Sequence, residues 1–117
     1  MSLRGARILV VEDEAMLSLN LEAMLVDLGC EVAGTADKLD DALRIARTSD
    51  FDVALLDINL GGKRVDPVAD AIRARGKPIV FVTGYGKTAA SGLVLEKPYD
   101  AAALERMLNE ALGTRRQ

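Results

Sequence analysis

The chain contains no histidine. That excludes a Ser-His-Asp triad, a Cys-His dyad and every histidine-ligated metal site. Its one cysteine, Cys30, can form neither an intrachain disulfide nor a cysteine-based zinc site. Placed after a helix-ending glycine, it reads as a small buried filler. Tryptophan is absent and aromatics are only 3% of the 117 residues, so the core must be built from Leu, Val, Ile, Ala and Met. No stretch approaches the roughly 20 apolar residues needed to span a bilayer. The first apolar run, Ile8 to Val11, stops at Glu12-Asp13-Glu14, too short and too acidic afterwards for a signal peptide. A basic excess is missing too. Fifteen Lys and Arg against 18 Asp and Glu leave a net charge of −3, whereas a nucleic-acid-binding module needs a basic face. The expectation is a cytoplasmic protein with no nucleic-acid partner and no membrane insertion. Its chemistry must come from carboxylates, hydroxyls, lysines and backbone.

What is present is an ordinary globular balance, 50% hydrophobic and 28% charged, in a chain long enough to bury a core as one domain over residues 1–117. Short apolar runs alternate with helical patterns. Ile8 to Val11 reads as a strand buried on both faces. Leu17, Leu21, Met24, Leu25 and Leu28 then fall on one helical stripe, and Gly29 is placed to end it. Glu31 to Ala36 reads as a weaker second strand, broken by Gly34. Asp37 is the expected cap of a second helix carrying Asp40 and Asp41 early and Arg44 and Arg47 late. Phe51 to Leu56 is the third strand, followed by a loop through Gly61-Gly62-Lys63-Arg64. Asp66 as cap with Pro67 at the first helical position predicts a helix to about Arg75, ended by Gly76. Pro78 to Val82 and Leu93 to Leu95 are the fourth and fifth strands, and Asp100 caps a last helix. Such alternation predicts an α/β fold: a flavodoxin-like, doubly wound, five-stranded parallel sheet of order 2-1-3-4-5. Between Thr83 and Leu93 the glycines 84, 86 and 92 predict a shortened or irregular fourth helix.

Ligands bind such sheets at the carboxyl ends of the strands. There the first strand ends in Glu12-Asp13, the third in Asp57, the fourth in Thr83 and the fifth in Lys97. Three carboxylates, a hydroxyl and an ammonium thus converge on one edge. Clustered carboxylates repel, and a hard divalent cation bound through oxygen is the usual remedy.

This combination resembles the receiver domain of two-component response regulators, over nearly the whole chain. The resemblance rests on Glu12-Asp13, Asp57, Thr83 and Lys97-Pro98. It implies that Asp57 is the phosphoacceptor. It further implies that Asp13 and Asp57, with the backbone carbonyl of Asn59, hold Mg²⁺, which Glu12 supports through water. Thr83 would bond the phosphoryl group, Lys97 would pair with it, and the Lys97-Pro98 peptide would be cis. The implied partners are a sensor histidine kinase, which supplies the absent histidine, and an unnamed downstream protein. The domain would not be an enzyme in its own right, but a phosphoacceptor assisting its own phosphotransfer and dephosphorylation. The segment from Pro78 to Gly86 looks like the subgroup named FAT GUY after its fourth-strand motif, with Val82 in place of the usual Ala. Asn59-Leu60-Gly61-Gly62 and Pro67-Val68-Ala69-Asp70 look like the same subgroup, whose kinases are often of the HWE type. Where receivers commonly place an aromatic switch residue, three before the lysine, this chain has Val94. Tyr85, two after Thr83, is expected to hinder water and slow loss of the phosphoryl group.

Two other readings compete: a pseudo-receiver that binds a partner and is never phosphorylated, and a small Mg²⁺-dependent phosphatase. Gly86-Lys87-Thr88 offers a fragment of a phosphate-binding loop, but the glycine needed five residues earlier is Phe81. Asp57-Ile58-Asn59 lacks the second acid of an Asp-x-Asp hydrolase.

Overall fold

A computed structural model describes residues 3–84 and 93–116. The expectations for the segment between Gly84 and Leu93, including Tyr85, therefore fall largely outside the described residues. The order of elements is β1 (Arg7–Val11), α1 (Ala15–Asp27), β2 (Glu31–Ala36), α2 (Leu39–Thr48), β3 (Val53–Asp57), β4 (Asn59–Leu60), β5 (Lys63–Arg64), α3 (Asp66–Ala74), β6 (Ile79–Thr83), β7 (Leu93–Glu96) and α4 (Ala101–Arg116). Five parallel strands form one sheet in the order β2-β1-β3-β6-β7, the expected flavodoxin-like 2-1-3-4-5 arrangement. A small antiparallel hairpin, β4-β5, is inserted after β3.

Alternation along the strands divides the core into two layers. Leu9, Val11, Ala54, Leu56 and Phe81 face α2 and α3. Ile8, Val10, Val53, Leu55, Val80 and Val82 face α1 and α4. Because both faces are covered, the strand interiors read as unbroken apolar runs rather than alternating ones. Cys30 is buried, as expected, with its thiol 3.7 Å from the carbonyl of Leu3.

Local details depart from the sequence pattern. Gly34 does not break β2: the strand is continuous, and its register against β1 shifts between Ile8 and Leu9, a bulge that takes up one residue. Asp37 is not the cap of α2, which begins after Lys38 with no side-chain cap. Asp66 is the first residue of α3 rather than its cap, and its carboxylate pairs with Arg64 at 2.9 Å. Asp100 does cap α4, accepting the Ala103 N–H at 2.8 Å. Gly61-Gly62 is not an open loop but the two-residue turn of the β4-β5 hairpin. Among the described residues, no helix is long and apolar enough to cross a membrane.

Candidate functional site

The three inner strands of the sheet, β1, β3 and β6, stay apolar while they are covered on both faces and turn polar where they emerge. Ile8 to Val11 are at most 1% exposed, and Glu12-Asp13 follow at the carboxyl edge. Val53 to Leu56 are similarly buried, and Asp57 closes β3. Thr83 closes β6, and Lys97 follows β7, its backbone N–H donating to the Thr83 carbonyl at 2.7 Å. The parallel register therefore delivers all five groups to one end of the sheet.

The structure brings them together. One carboxylate oxygen from each of Glu12, Asp13 and Asp57 lies within 4.8 Å of the others. Lys97 Nζ bridges two of them, 3.1 Å from Asp57 Oδ2 and 3.3 Å from Glu12 Oε1. Backbone amides hold a further oxygen of each acid. The Glu14 N–H donates to Glu12 Oε2 at 3.2 Å, and the Asn59 N–H to Asp57 Oδ1 at 3.1 Å. The Gly61 N–H donates to Asp13 Oδ2 at 2.9 Å. Asp13, Asp57, Asn59, Thr83, Gly84 and Lys97 share a cleft of about 360 Å³. Thr83 is buried at 6% exposure, and Gly84 lies beside the stem of Lys97. The Lys97-Pro98 peptide is cis, as expected.

The electrostatics follow from burial and crowding. Burial, followed by the negative charge and hydrogen bonding of Asp57, lifts the Glu12 carboxyl to about 7, against the opposing Glu14 amide and Lys97. Burial works against the charge of Lys97, but its bonds to Asp57 and then Glu12 outweigh it, so the ammonium is held more firmly than usual. Tyr99, just beyond, has its phenol raised by burial and next by the charge of Glu12.

Three carboxylates stand beside one ammonium, which pairs with two of them, and among the described residues Asp13 enters no ion pair. An all-oxygen donor set with surplus negative charge suits a hard divalent cation such as Mg²⁺. The chain's own residues thus fit that ion by type and spacing. Sequence reasoning placed Glu12, Asp13, Asp57, Thr83 and Lys97 at this edge, and brought in Asn59 only through the resemblance to receiver domains. It missed the Gly61 amide, whose only trace in the sequence is a pair of glycines flanked by two short extended segments. Val94 occupies the place three before the lysine and packs partly buried against the cluster containing Phe81.

A family model for the response regulator receiver domain matches residues 8–109. The phyllosphere-induced regulator PhyR of Methylorubrum extorquens is 31% identical over 117 residues, which cover 92% of this chain and 44% of that protein. The solution structure of SdrG from Sphingomonas melonis Fr1 superposes with a TM-score of 0.80 at 36% identity, covering 96% of this chain and 98% of that one. The receiver domain of the sensor histidine kinase PA1611 from Pseudomonas aeruginosa PAO1 carries a magnesium ion coordinated in its active site cleft. It matches with a TM-score of 0.83 at 29% identity, over 93% of this chain and 98% of that one. The chain spans less than half the length of the curated relatives it matches.

Proposed function

Because the chain belongs to the response regulator receiver domain family, we propose that it accepts a phosphoryl group on Asp57 from a sensor histidine kinase, with Mg²⁺ at Asp13 and Asp57, and signals through protein contacts. The observation that supports this most is the convergence of Glu12, Asp13 and Asp57 around Lys97 at the carboxyl edge of the sheet. The match of Pro78 to Gly86 to the FAT GUY pattern favours a kinase of the HWE type.

In this reading a carboxylate oxygen of Asp57 forms the new O–P bond as the P–N bond of the kinase's phosphohistidine breaks and the imidazole leaves. Such transfers need in-line positioning and charge neutralisation more than a general base. Asp57 is positioned by the Asn59 N–H and by Lys97, which fix its two oxygens. Lys97 follows the charge onto the phosphoryl group, leaving Glu12. Thr83, at the next strand end, donates its hydroxyl to a phosphoryl oxygen. Asp13 and Asp57, with the carbonyl of Asn59, would hold the cation and Glu12 would support it; when bound, it would neutralise phosphoryl charge. The acyl phosphate carries about −2 where the Asp57 carboxylate carried −1, so the strand ends become about one charge more negative and gain phosphoryl oxygens that accept hydrogen bonds. That charge is the signal, read by a downstream protein.

Intact mass after incubation with Mg²⁺ and acetyl phosphate tests the reading. The expected result is a gain of one phosphoryl group in the wild type and none in Asp57→Asn. A folded wild type that gains no mass from acetyl phosphate or from a phosphorylated kinase contradicts it and favours a pseudo-receiver. Turnover of a bystander phosphoester would instead make the domain a phosphatase.

A further inference from the structure

The two inner acids of the site are held by their own stretch of chain, through amides two residues further on, and by Lys97. Asp13 is exposed and has neither support. Its bond comes from the Gly61 N–H, 48 residues away, at 2.9 Å. We propose that the β4-β5 hairpin is a positioning device for Asp13, acting through the Gly61 amide to fix that carboxylate for a divalent cation. The inference rests on the cation site proposed above.

The hairpin is built to be rigid. Asn59 pairs with Arg64 and Leu60 with Lys63, and the Val65 N–H closes the ladder on the Ile58 carbonyl at 3.0 Å. Ile58, Leu60 and Val65 are buried in the layer against α2 and α3, so the hairpin's base belongs to the core. Arg64 is tied to Asp66 at its outer side. At the tip, Gly61 and Gly62 have φ of 59° and 82°. Two successive positive φ values give the primed turn that suits the twist of paired strands, and glycine adopts them without strain. A Cβ at either position would meet nothing within 4 Å. Glycine is therefore required by conformation and not by space.

An exposed aspartate at the end of a strand otherwise samples several rotamers, and ordering it on binding a cation costs conformational entropy. The Gly61 bond has a charged acceptor, which makes it stronger than a neutral one. It ties Oδ2 to the hairpin, and holding that oxygen fixes where the other one points. The ordering is then complete before the cation arrives. Loss of the bond should weaken cation binding without touching a ligand.

Mg²⁺ titration followed by backbone amide chemical shifts, at fixed ionic strength, tests this. Gly61→Ala and Gly62→Ala both strain the turn, the second at least as much since its φ of 82° lies further from the left-handed region open to L residues. Only the first stands at the amide that meets Asp13. Gly61→Ala should raise the Kd for Mg²⁺ about three- to tenfold, the worth of one hydrogen bond. Gly62→Ala should raise it less than about twofold, and Gly61→Asn, which tolerates the left-handed region, should stay close to wild type. In EDTA, Asp13→Ala should speed exchange of the Gly61 amide about three- to tenfold and leave the Val65 amide unchanged. Equal Kd values for wild type and Gly61→Ala, or equal losses in the two alanine variants, overturn the positioning role and leave the cation site standing. A wild type whose amides do not respond to Mg²⁺ overturns both. If Gly61→Ala does not fold, the exchange comparison decides: unchanged Gly61 protection in Asp13→Ala overturns the proposal.

Discussion

At the amino end of β1, Arg7 meets Asp50 at 3.3 Å, and its backbone N–H meets Asp52 at 2.8 Å. At the carboxyl end of the same strand, Glu12 shares Lys97 with Asp57, and Asp13 lies beside them. Both ends set acids beside one cation, so residue type does not distinguish them. Burial does. The Asp50 side chain is 85% exposed and is stabilised by water whatever Arg7 does. The Glu12 side chain is 4% exposed and depends on its protein neighbours. The amino end is a solvated surface pair of small worth. The carboxyl end sets three carboxylates beside one ammonium, the surplus on which the proposed cation site rests.

That contrast can be sharpened by pH. Glu12 is raised from 4.5 to about 7 in the fold, so between those values the folded state keeps a proton that the unfolded chain has lost. Its contribution to stability is full below about 4.5, falls as pH rises through about 7, and is flat above. The expected loss is at most about 3 kcal/mol. Urea unfolding in EDTA, compared between wild type and Glu12→Gln, isolates it: the difference should appear across that interval. Parallel profiles for the two proteins would remove burial of Glu12 from the account.

A smaller effect is expected from removing the shared cation. Lys97→Met leaves Glu12 and Asp57 facing each other and should cost about 1–2 kcal/mol at pH 7 in EDTA, with protonation of Glu12 absorbing part of the loss. A variant as stable as wild type would mean that the bridge contributes nothing. Smallest of all is Arg7→Ala at the amino end, expected to cost less than about 1 kcal/mol for its ion pair and to be screened by salt. If it cost more than Lys97→Met, the two ends would have been ranked in the wrong order.

The sheet and the site were legible in the sequence for one reason. A strand buried on both faces must be apolar throughout, so the polar residue that ends it is marked, and in a parallel sheet those marks fall on one edge. Glu12, Asp57 and Thr83 are marked in this way; Lys97 follows the edge strand β7, which is only partly buried and ends in exposed Glu96, so its mark is weaker. The misreadings came where one residue type serves two roles. Asp66 beside Pro67 has the pattern of a cap, but Arg64 is near enough to take its carboxylate. Phe51 was read as strand because it is apolar, yet it is fully buried ahead of β3, where the neighbouring Asp52 side chain serves Arg7. The β4-β5 hairpin escaped notice because each of its strands is two residues long, too short for alternation to show. With it went the Gly61 amide, since a backbone donor leaves no signature in residue type.

If a divalent cation held through Asp13 completes the carboxyl edge, Mg²⁺ must stabilise the fold through that residue. A thermal scan of wild type and Asp13→Ala, with Mg²⁺ and with EDTA at matched ionic strength, tests it most directly. At Mg²⁺ about 100 times its Kd, binding to the folded state alone should add about 2.7 kcal/mol, or roughly 10 °C for a domain of this size. Asp13→Ala should stay folded and lose most of that gain. The same Mg²⁺ stabilisation in both proteins, or none in the wild type, would contradict the account.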